Sequence, residues 1–111
     1  MNESTHDTVP QLQPTELAKL SSPARIVDVR EATEFNGDLG HVPGAELVPL
    51  ATLEEAAKSW PKDETLVMVC RSGARSSKGA RLLVNLGFKN VLNLAGGTLA
   101  YTSAGLPVER Q

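Results

Sequence analysis

Residues 65–77 have the sequence TLVMVCRSGARSS, and the other elements of the chain are interpreted around this segment. It begins with an unbroken apolar run, which is typical of a strand buried on both faces of a parallel sheet. The run stops at Cys70, and a polar turn through Gly73 follows. Apolar residues then recur at helical spacing over 75–86, and Gly87 is a suitable residue to end a helix. The stretch therefore predicts a strand, a tight turn and a helix in succession.

This turn places the only cysteine of the chain at the N-terminus of a helix. Free backbone N–H groups and the helix dipole favour an anion there, and Arg71 and Arg75 add positive charge on either side. A lone cysteine is more often an inert buried residue. However, thiols at helix N-termini beside arginine have lowered pKa values, and α/β sheets place their sites at the carboxyl ends of strands. The pattern therefore favours a site for a thiolate and an anion.

Composition limits the class of protein. The chain has 111 residues, of which 41% are hydrophobic and 22% charged, as expected of one ordinary globular domain. A net charge of −2 argues against nucleic-acid or anionic-membrane partners. One cysteine excludes an internal disulfide, and two histidines argue against a zinc site built by this chain.

The first residues are polar, without the apolar segment of a secretory signal peptide, and no stretch is long enough to cross a membrane. We therefore expect a cytoplasmic protein with a flexible tail over 1–8 and a single domain over 9–111.

Strands and helices alternate along the rest of the chain. This order predicts an α/β fold with a mostly parallel central sheet of about five strands and helices on both faces. The other strands are expected at 9–13, 25–30, 45–48 and 91–94, and the other helices at 14–20, 31–36, 53–59 and 98–103.

Two polar residues call for a structural interpretation. Asp28 lies in an apolar strand, where an unpaired carboxylate is too costly, so we favour a structural ion pair or hydrogen bond over direct catalysis. Arg30 and Glu34 are predicted to pair at i,i+4. His41 lies in a loop rich in glycine and proline, and we favour a structural hydrogen bond over a role as a base.

Several motifs, in this order, resemble those of the single-domain rhodaneses, the thiosulfate sulfurtransferase-like family. They are IVDVRE at 26–31, EF at 34–35 with GHVPGA at 40–45, CRSGARS at 70–76, LAGG at 94–97 and GLPV at 105–108. The matches span about residues 26–108. One residue departs from the pattern, because Tyr101 stands where the family often has tryptophan.

The resemblance implies a rhodanese-like fold and a sulfurtransferase. Cys70 would take a sulfane sulfur as a persulfide from an anionic donor such as thiosulfate, then pass it to cyanide or to a thiol, small or on a protein. Loop amides would cradle the terminal sulfur, and the two arginines would hold the donor or steady the loop. No cofactor, metal, nucleic acid or membrane is implied. The implied site is the catalytic Cys70 with the substrate-binding residues Arg71, Ser72, Gly73, Ala74, Arg75 and Ser76.

Other functions stay open beside this one. A cysteine phosphatase also uses a thiolate under an anion-binding loop, but the loop from Cys70 to Arg75 is one residue shorter than in those enzymes. Non-catalytic rhodanese-like binding modules commonly lack the cysteine. A thiol-redox protein would need a second cysteine to resolve a disulfide within the chain. The physiological donor and acceptor, and the oligomeric state, stay open as well.

Overall fold

A five-stranded parallel sheet forms the centre of the fold in a computed structural model, which describes residues 9–20 and 23–110. Its order is β1-β5-β4-β2-β3, and all four pairs of neighbouring strands are parallel. This confirms the predicted α/β fold, while the predicted tail over 1–8 lies outside the described residues. The strands are β1 Gln11–Leu12, β2 Arg25–Asp28, β3 Glu46–Leu47, β4 Thr65–Val69 and β5 Asn90–Leu94.

The described residues form five α-helices, of which four connect successive strands and the fifth follows β5. The longest, α4, ends in a turn that confirms the predicted stop: Gly87 has φ 102°, and the Phe88 amide donates back to the Leu83 carbonyl at 3.0 Å. The helix predicted over 53–59 ends earlier, at Ala57. Trp60, beyond its end, is buried and packs edge-on against Phe88. The helices are α1 Pro14–Leu17, α2 Ala32–Phe35, α3 Leu53–Ala57 (after a 3-10 turn, Leu50–Thr52), α4 Ala74–Asn85 and α5 Gly97–Ser103.

Strand β4 is buried on both faces, as its apolar run predicts. Leu66 and Met68 belong to a core cluster on the side of α3 and α4. Val67 and Val69 belong to a second cluster that includes Tyr101 of α5. Cys70 directly follows this strand. Because the strand is packed on both faces, the position of the cysteine is well fixed.

The carboxylate of Asp28 forms a buried ion pair with Arg30. The Arg30 guanidinium donates from Nε to Oδ1 at 2.9 Å and from Nη2 to Oδ2 at 2.8 Å, and Nη2 also donates to the Gly40 carbonyl at 2.8 Å. Both side chains are at most 1% exposed. The structural pairing expected for Asp28 is therefore confirmed. The predicted pair of Arg30 with Glu34 is wrong, because Arg30 turns inward to a carboxylate that would be costly to bury alone.

His41 has the structural role expected of it. Its Nδ1 donates to the Phe35 carbonyl at 2.9 Å, and its ring stacks on that of Phe35 at 3.6 Å between centroids. Its backbone exchanges two hydrogen bonds of 2.8 Å with Glu109. The two backbone hydrogen bonds join Glu109 to the loop that precedes β3.

The described part of the chain contains no helix with the length and apolar character needed to cross a membrane. Within the same residues, no three histidine, cysteine, aspartate or glutamate side chains gather closely enough to hold a metal ion. The cytoplasmic location stays a prediction.

Candidate active site

Cys70 lies directly between β4 and the loop that leads into α4. Gly73 is the N-cap residue of α4 and has φ 102°, a left-handed conformation that glycine adopts without strain. The loop thereby turns back sharply enough for the first turn of the helix to lie over the sulfur. Cys70 is 1% exposed.

Three hydrogen-bond donors converge on the Cys70 sulfur. The Gly73 amide lies 3.1 Å from Sγ, and both the amide and the hydroxyl of Ser76 lie 3.3 Å from it. A ring of donors around one sulfur stabilises negative charge on it, or on a second sulfur bonded to it.

The pKa of Cys70 reflects a balance between burial and these donors. Burial acts to raise the pKa of the thiol, because an ion is poorly solvated there. The Ser76 hydroxyl, followed by the amides of Ser76, Gly73 and Ser72, lowers it, and the net effect is a pKa below the ordinary value. From the sequence, we expected the charges of Arg71 and Arg75 to supply part of this lowering of the pKa. In the structure, the main causes that lower the pKa are the hydrogen bonds to the sulfur.

The two arginines of the loop differ in their surroundings. Arg75 is held by Glu34 of α2 in a two-point ion pair, with Nη1–Oε1 at 2.7 Å and Nη2–Oε2 at 2.8 Å. Arg71 is exposed, and in the described part of the chain no carboxylate lies within ion-pair distance of it. A ligand anion can therefore approach Arg71 without displacing an internal partner.

The structure thus brings only part of the implied substrate-binding set to the sulfur. Gly73 and Ser76 contact Sγ directly, and the Ser72 amide contributes to its pKa. The side chains of Ser72 and Ala74 are exposed. Arg71 lines a polar cavity of about 250 Å³ beside the loop, together with Arg30, Thr33, Glu34, Gly37, Asp38 and Leu39.

The first residues of α5 form hydrogen bonds with the backbone of the loop that begins at Cys70. The Thr98 amide donates to the Cys70 carbonyl at 2.9 Å, and the Leu99 amide donates to the Arg71 carbonyl at 3.0 Å. A Cβ at Gly97 would clash with both of these carbonyls, so the backbones can approach this closely only at glycine. Reasoning from residue types alone did not identify this support, and its only signal in the sequence is the LAGG motif.

Tyr101 lies on the other face of the sheet from α4. It is buried, and its hydroxyl donates to the Pro107 carbonyl at 2.8 Å. It lines an apolar cavity of about 340 Å³ with residues such as Leu17 and Ile26, and is not among the residues of the polar cavity beside Arg71. The change from tryptophan therefore falls in the core.

The Glu34–Arg75 pair is expected to make stability depend on pH. Hydrogen bonds from Arg75 lower the pKa of Glu34 to about 2 from an ordinary value of 4.5. A lowered pKa contributes stability that is present above pH 4.5 and is lost as the pH falls toward 2. Because both side chains are about one third exposed, Glu34→Gln should cost less than about 1 kcal/mol at neutral pH. Urea unfolding across acidic pH would show a shallower decline in the variant.

A matched control is Glu55→Gln, since Glu55 pairs with Lys58 at 3.0 Å on the open surface. It should leave the pH dependence of unfolding unchanged. Equal effects of the two substitutions would show that the Glu34–Arg75 pair has no special part in stability.

A family model described as the rhodanese-like domain matches residues 13–104. A sulfurtransferase of Allochromatium vinosum is 37% identical over 83 residues, which cover 75% of this chain and 76% of that protein. The thiosulfate sulfurtransferase GlpE of Pseudoalteromonas translucida is 30% identical over 79 residues, covering 71% of this chain and 73% of that protein.

Other relatives are longer, and the matched region spans 40% and 45% of two of them. Among solved structures, a rhodanese-like domain protein of Staphylococcus aureus superposes with a TM-score of 0.77 at 32% identity, covering 91% of this chain and 99% of that one. The motifs, the parallel sheet, the cysteine loop and these matches agree, and the chain belongs to the rhodanese-like domain family.

Proposed function

We propose that this protein is a sulfurtransferase that carries sulfur on Cys70, taking it from an anionic donor such as thiosulfate and passing it to cyanide or a thiol. The convergence of three hydrogen-bond donors on one buried sulfur carries this proposal. Relatives named as sulfurtransferases support sulfur transfer in general.

The proposed reaction uses the Cys70 thiolate, which is surrounded by hydrogen-bond donors of the loop. The Cys70 thiolate attacks the outer sulfur of thiosulfate, the S–S bond of the donor breaks, and sulfite leaves with the bonding electrons. The acceptor then attacks the outer sulfur of the persulfide, and the Cys70 thiolate is regenerated as the leaving group. The lowered pKa increases the ionised fraction of Cys70, so the proposed reaction assigns no residue as a general base for this step.

The surroundings of the arginines support different roles for them. Arg71 is exposed beside the polar cavity, which suits it to attract the anionic donor. Arg75 is tied to α2 through Glu34, which suits it to steady the loop and its amides. Fixed amides stabilise a charged sulfur without a cost of reorganisation during the reaction.

Mass spectrometry of the intact protein tests the proposal. Incubation with thiosulfate should add the mass of one sulfur atom, and cyanide should remove it with formation of thiocyanate. Protein whose Cys70 has first been alkylated serves as the control and should gain nothing. If the free protein gains no sulfur, or the alkylated protein gains as much, Cys70 is not the carrier.

The same preparation separates sulfur transfer from phosphatase activity. Only four residues lie between Cys70 and Arg75, and the guanidinium that would have to grip a phosphate is already paired with Glu34. Hydrolysis of an aryl phosphate that depends on Cys70 should therefore be absent. Such hydrolysis at a rate comparable with sulfur transfer would favour the phosphatase instead.

A further inference from the structure

The part of the chain that carries Cys70 is positively charged. Residues 65–108 include five lysine or arginine side chains and no aspartate or glutamate, although the whole chain has a net charge of −2. This segment forms β4, α4, β5 and α5, so it includes both helices that begin beside the cysteine. Glu34 of α2 contacts the segment, but it is paired with Arg75, and the pair adds no net charge. The separation of charge favours an acidic partner at this side of the molecule.

One face of α4 presents part of this charge next to the cysteine loop. Ala74, Lys78 and Arg81 follow one another at spacings of four and three residues, which places them on the same side of the helix. Ala74 and Lys78 are exposed, and Arg81 is half-buried. Among the described residues, no carboxylate lies within ion-pair distance of Lys78 or Arg81, as is also true of Arg71. These three cations can therefore pair with a ligand without losing an internal partner.

The same surface continues across the loop to the start of α5. A Cβ at Gly73 would lie 3.6 Å from the amide nitrogen of Gly96, so the backbones of the two turns are adjacent. Leu99 follows in α5, and its amide donates to the Arg71 carbonyl at 3.0 Å. The Leu99 side chain is 36% exposed. One exposed leucine is ordinary by itself, but this one adjoins both the loop and a free cation. We name this surface the basic face, and it consists of Arg71, Ala74, Lys78, Arg81 and Leu99.

The extent and chemistry of the basic face suit a protein partner. From Ala74 to Arg81 the axis of α4 advances by about 10 Å, and Leu99 is carried by α5 beyond the loop, so a small acceptor would contact only part of the face. Nucleic acid is disfavoured, because the only aromatic residues of 65–108, Phe88 and Tyr101, are buried and offer no surface on which a base could stack. A protein can cover the apolar side chain and the cations around it together.

We propose that the basic face binds an acidic protein whose cysteine accepts the sulfur carried by Cys70. This inference rests on the proposed persulfide and names the class of its acceptor. The acceptor thiolate attacks the outer sulfur of the persulfide and forms a new S–S bond, while the S–S bond to Cys70 breaks. The bonding electrons leave with the Cys70 sulfur as a thiolate, and the outer sulfur keeps its hydrogen. Because Cys70 is only 1% exposed, the partner must hold its thiol directly over the loop, and contacts on both sides of the loop provide that position.

The test uses cysteine peptides of equal length that differ only in charge. Each contains one cysteine, one leucine beside it and flanking residues that are all glutamate, all glutamine or all lysine. Protein that has been loaded from thiosulfate and freed of the donor is mixed with each peptide, and mass spectrometry follows the loss of the added sulfur. Flanking charges also alter the reactivity of the peptide thiol, so the ratios of the peptide rates are compared between protein variants.

Lys78→Glu should slow transfer to the glutamate peptide about three- to tenfold relative to the glutamine peptide, and should speed transfer to the lysine peptide by a similar factor. Added salt should reduce both effects, because exposed charges are screened. Lys89→Glu is the matched control and should leave the ratios unchanged. Lys89 is also exposed and belongs to the same segment, but it precedes β5 and so lies at the opposite end of the sheet from Cys70. Leu99→Ser should slow transfer to all three peptides relative to discharge by cyanide.

Binding is also measured without any sulfur transfer. As a glutamate peptide with serine in place of cysteine is added, the amide NMR signals of residues 71–81 and of Leu99 should shift, whereas that of Lys89 should not. A single-stranded RNA of equal length is the probe for a nucleic-acid partner. The proposal is overturned if Lys78→Glu and Lys89→Glu change the peptide ratios equally, or if the RNA shifts the same signals at lower concentration than the peptide. Failure of the protein to gain sulfur would refute the proposed function instead, and the NMR titration would still test the basic face.

Discussion

Cys70→Ser is expected to abolish sulfur transfer, with thiocyanate production from thiosulfate and cyanide falling on the order of 10³-fold or more, to the background rate. Serine keeps the size of the side chain and can accept the same hydrogen bonds from Gly73 and Ser76. Its hydroxyl, however, is neither ionised near neutral pH nor able to form a persulfide. The loss should therefore be one of chemistry with little change in fold.

Urea unfolding distinguishes this result from simple loss of structure. The free energy of unfolding of Cys70→Ser should fall by only about 0.5–1.5 kcal/mol, because the serine oxygen can keep the hydrogen bonds from Gly73 and Ser76. A folded Cys70→Ser protein that still produces thiocyanate at the original rate would remove Cys70 from the mechanism.

The largest loss of stability is expected from Arg30→Met. Removal of this guanidinium leaves the Asp28 carboxylate buried and uncompensated, and it takes a donor from the Gly40 carbonyl. Breaking a buried pair in this way typically costs about 3–5 kcal/mol. Since a whole domain is stable by only about 5–15 kcal/mol, the variant should unfold at a much lower urea concentration.

Two further variants make this prediction specific. Arg25→Met is the control at the start of β2. Because Arg25 pairs with Glu46 and Glu64 nearer the surface, this change should cost about 1 kcal/mol. The double variant Asp28→Leu, Arg30→Met removes both buried charges and should recover much of the loss. If Arg25→Met and Arg30→Met are equally destabilising, burial does not determine how much the Asp28–Arg30 pair contributes to the free energy of unfolding.

The sequence predicts the strand, turn and helix around Cys70 almost to the residue. The strand predicted up to Cys70 and the helix predicted over 75–86 appear as Thr65–Val69 and Ala74–Asn85. The reason is that the signals are local: a continuous apolar run, a glycine in the turn and a second glycine after the helix.

The partners of the charged residues were harder to predict, since they depend on contacts between distant parts of the chain. Arg75 and Glu34 are 41 positions apart, so no pattern of helical spacing can reveal their pairing. Arg30 was predicted to pair with Glu34 at helical spacing, but in the structure it pairs with Asp28.

The position of β1 in the sheet has a consequence for the order in which the protein folds. Among the residues that the structure describes, this first strand pairs only with β5, and the Gln11–Asn93 contact joins residues 82 positions apart. During synthesis, β5 therefore leaves the ribosome only after all the residues between the two strands have emerged. Contacts of such long range form slowly, because a large loop must close before they stabilise anything. A nascent chain stopped before β5 would leave β1 unpaired and available to chaperones.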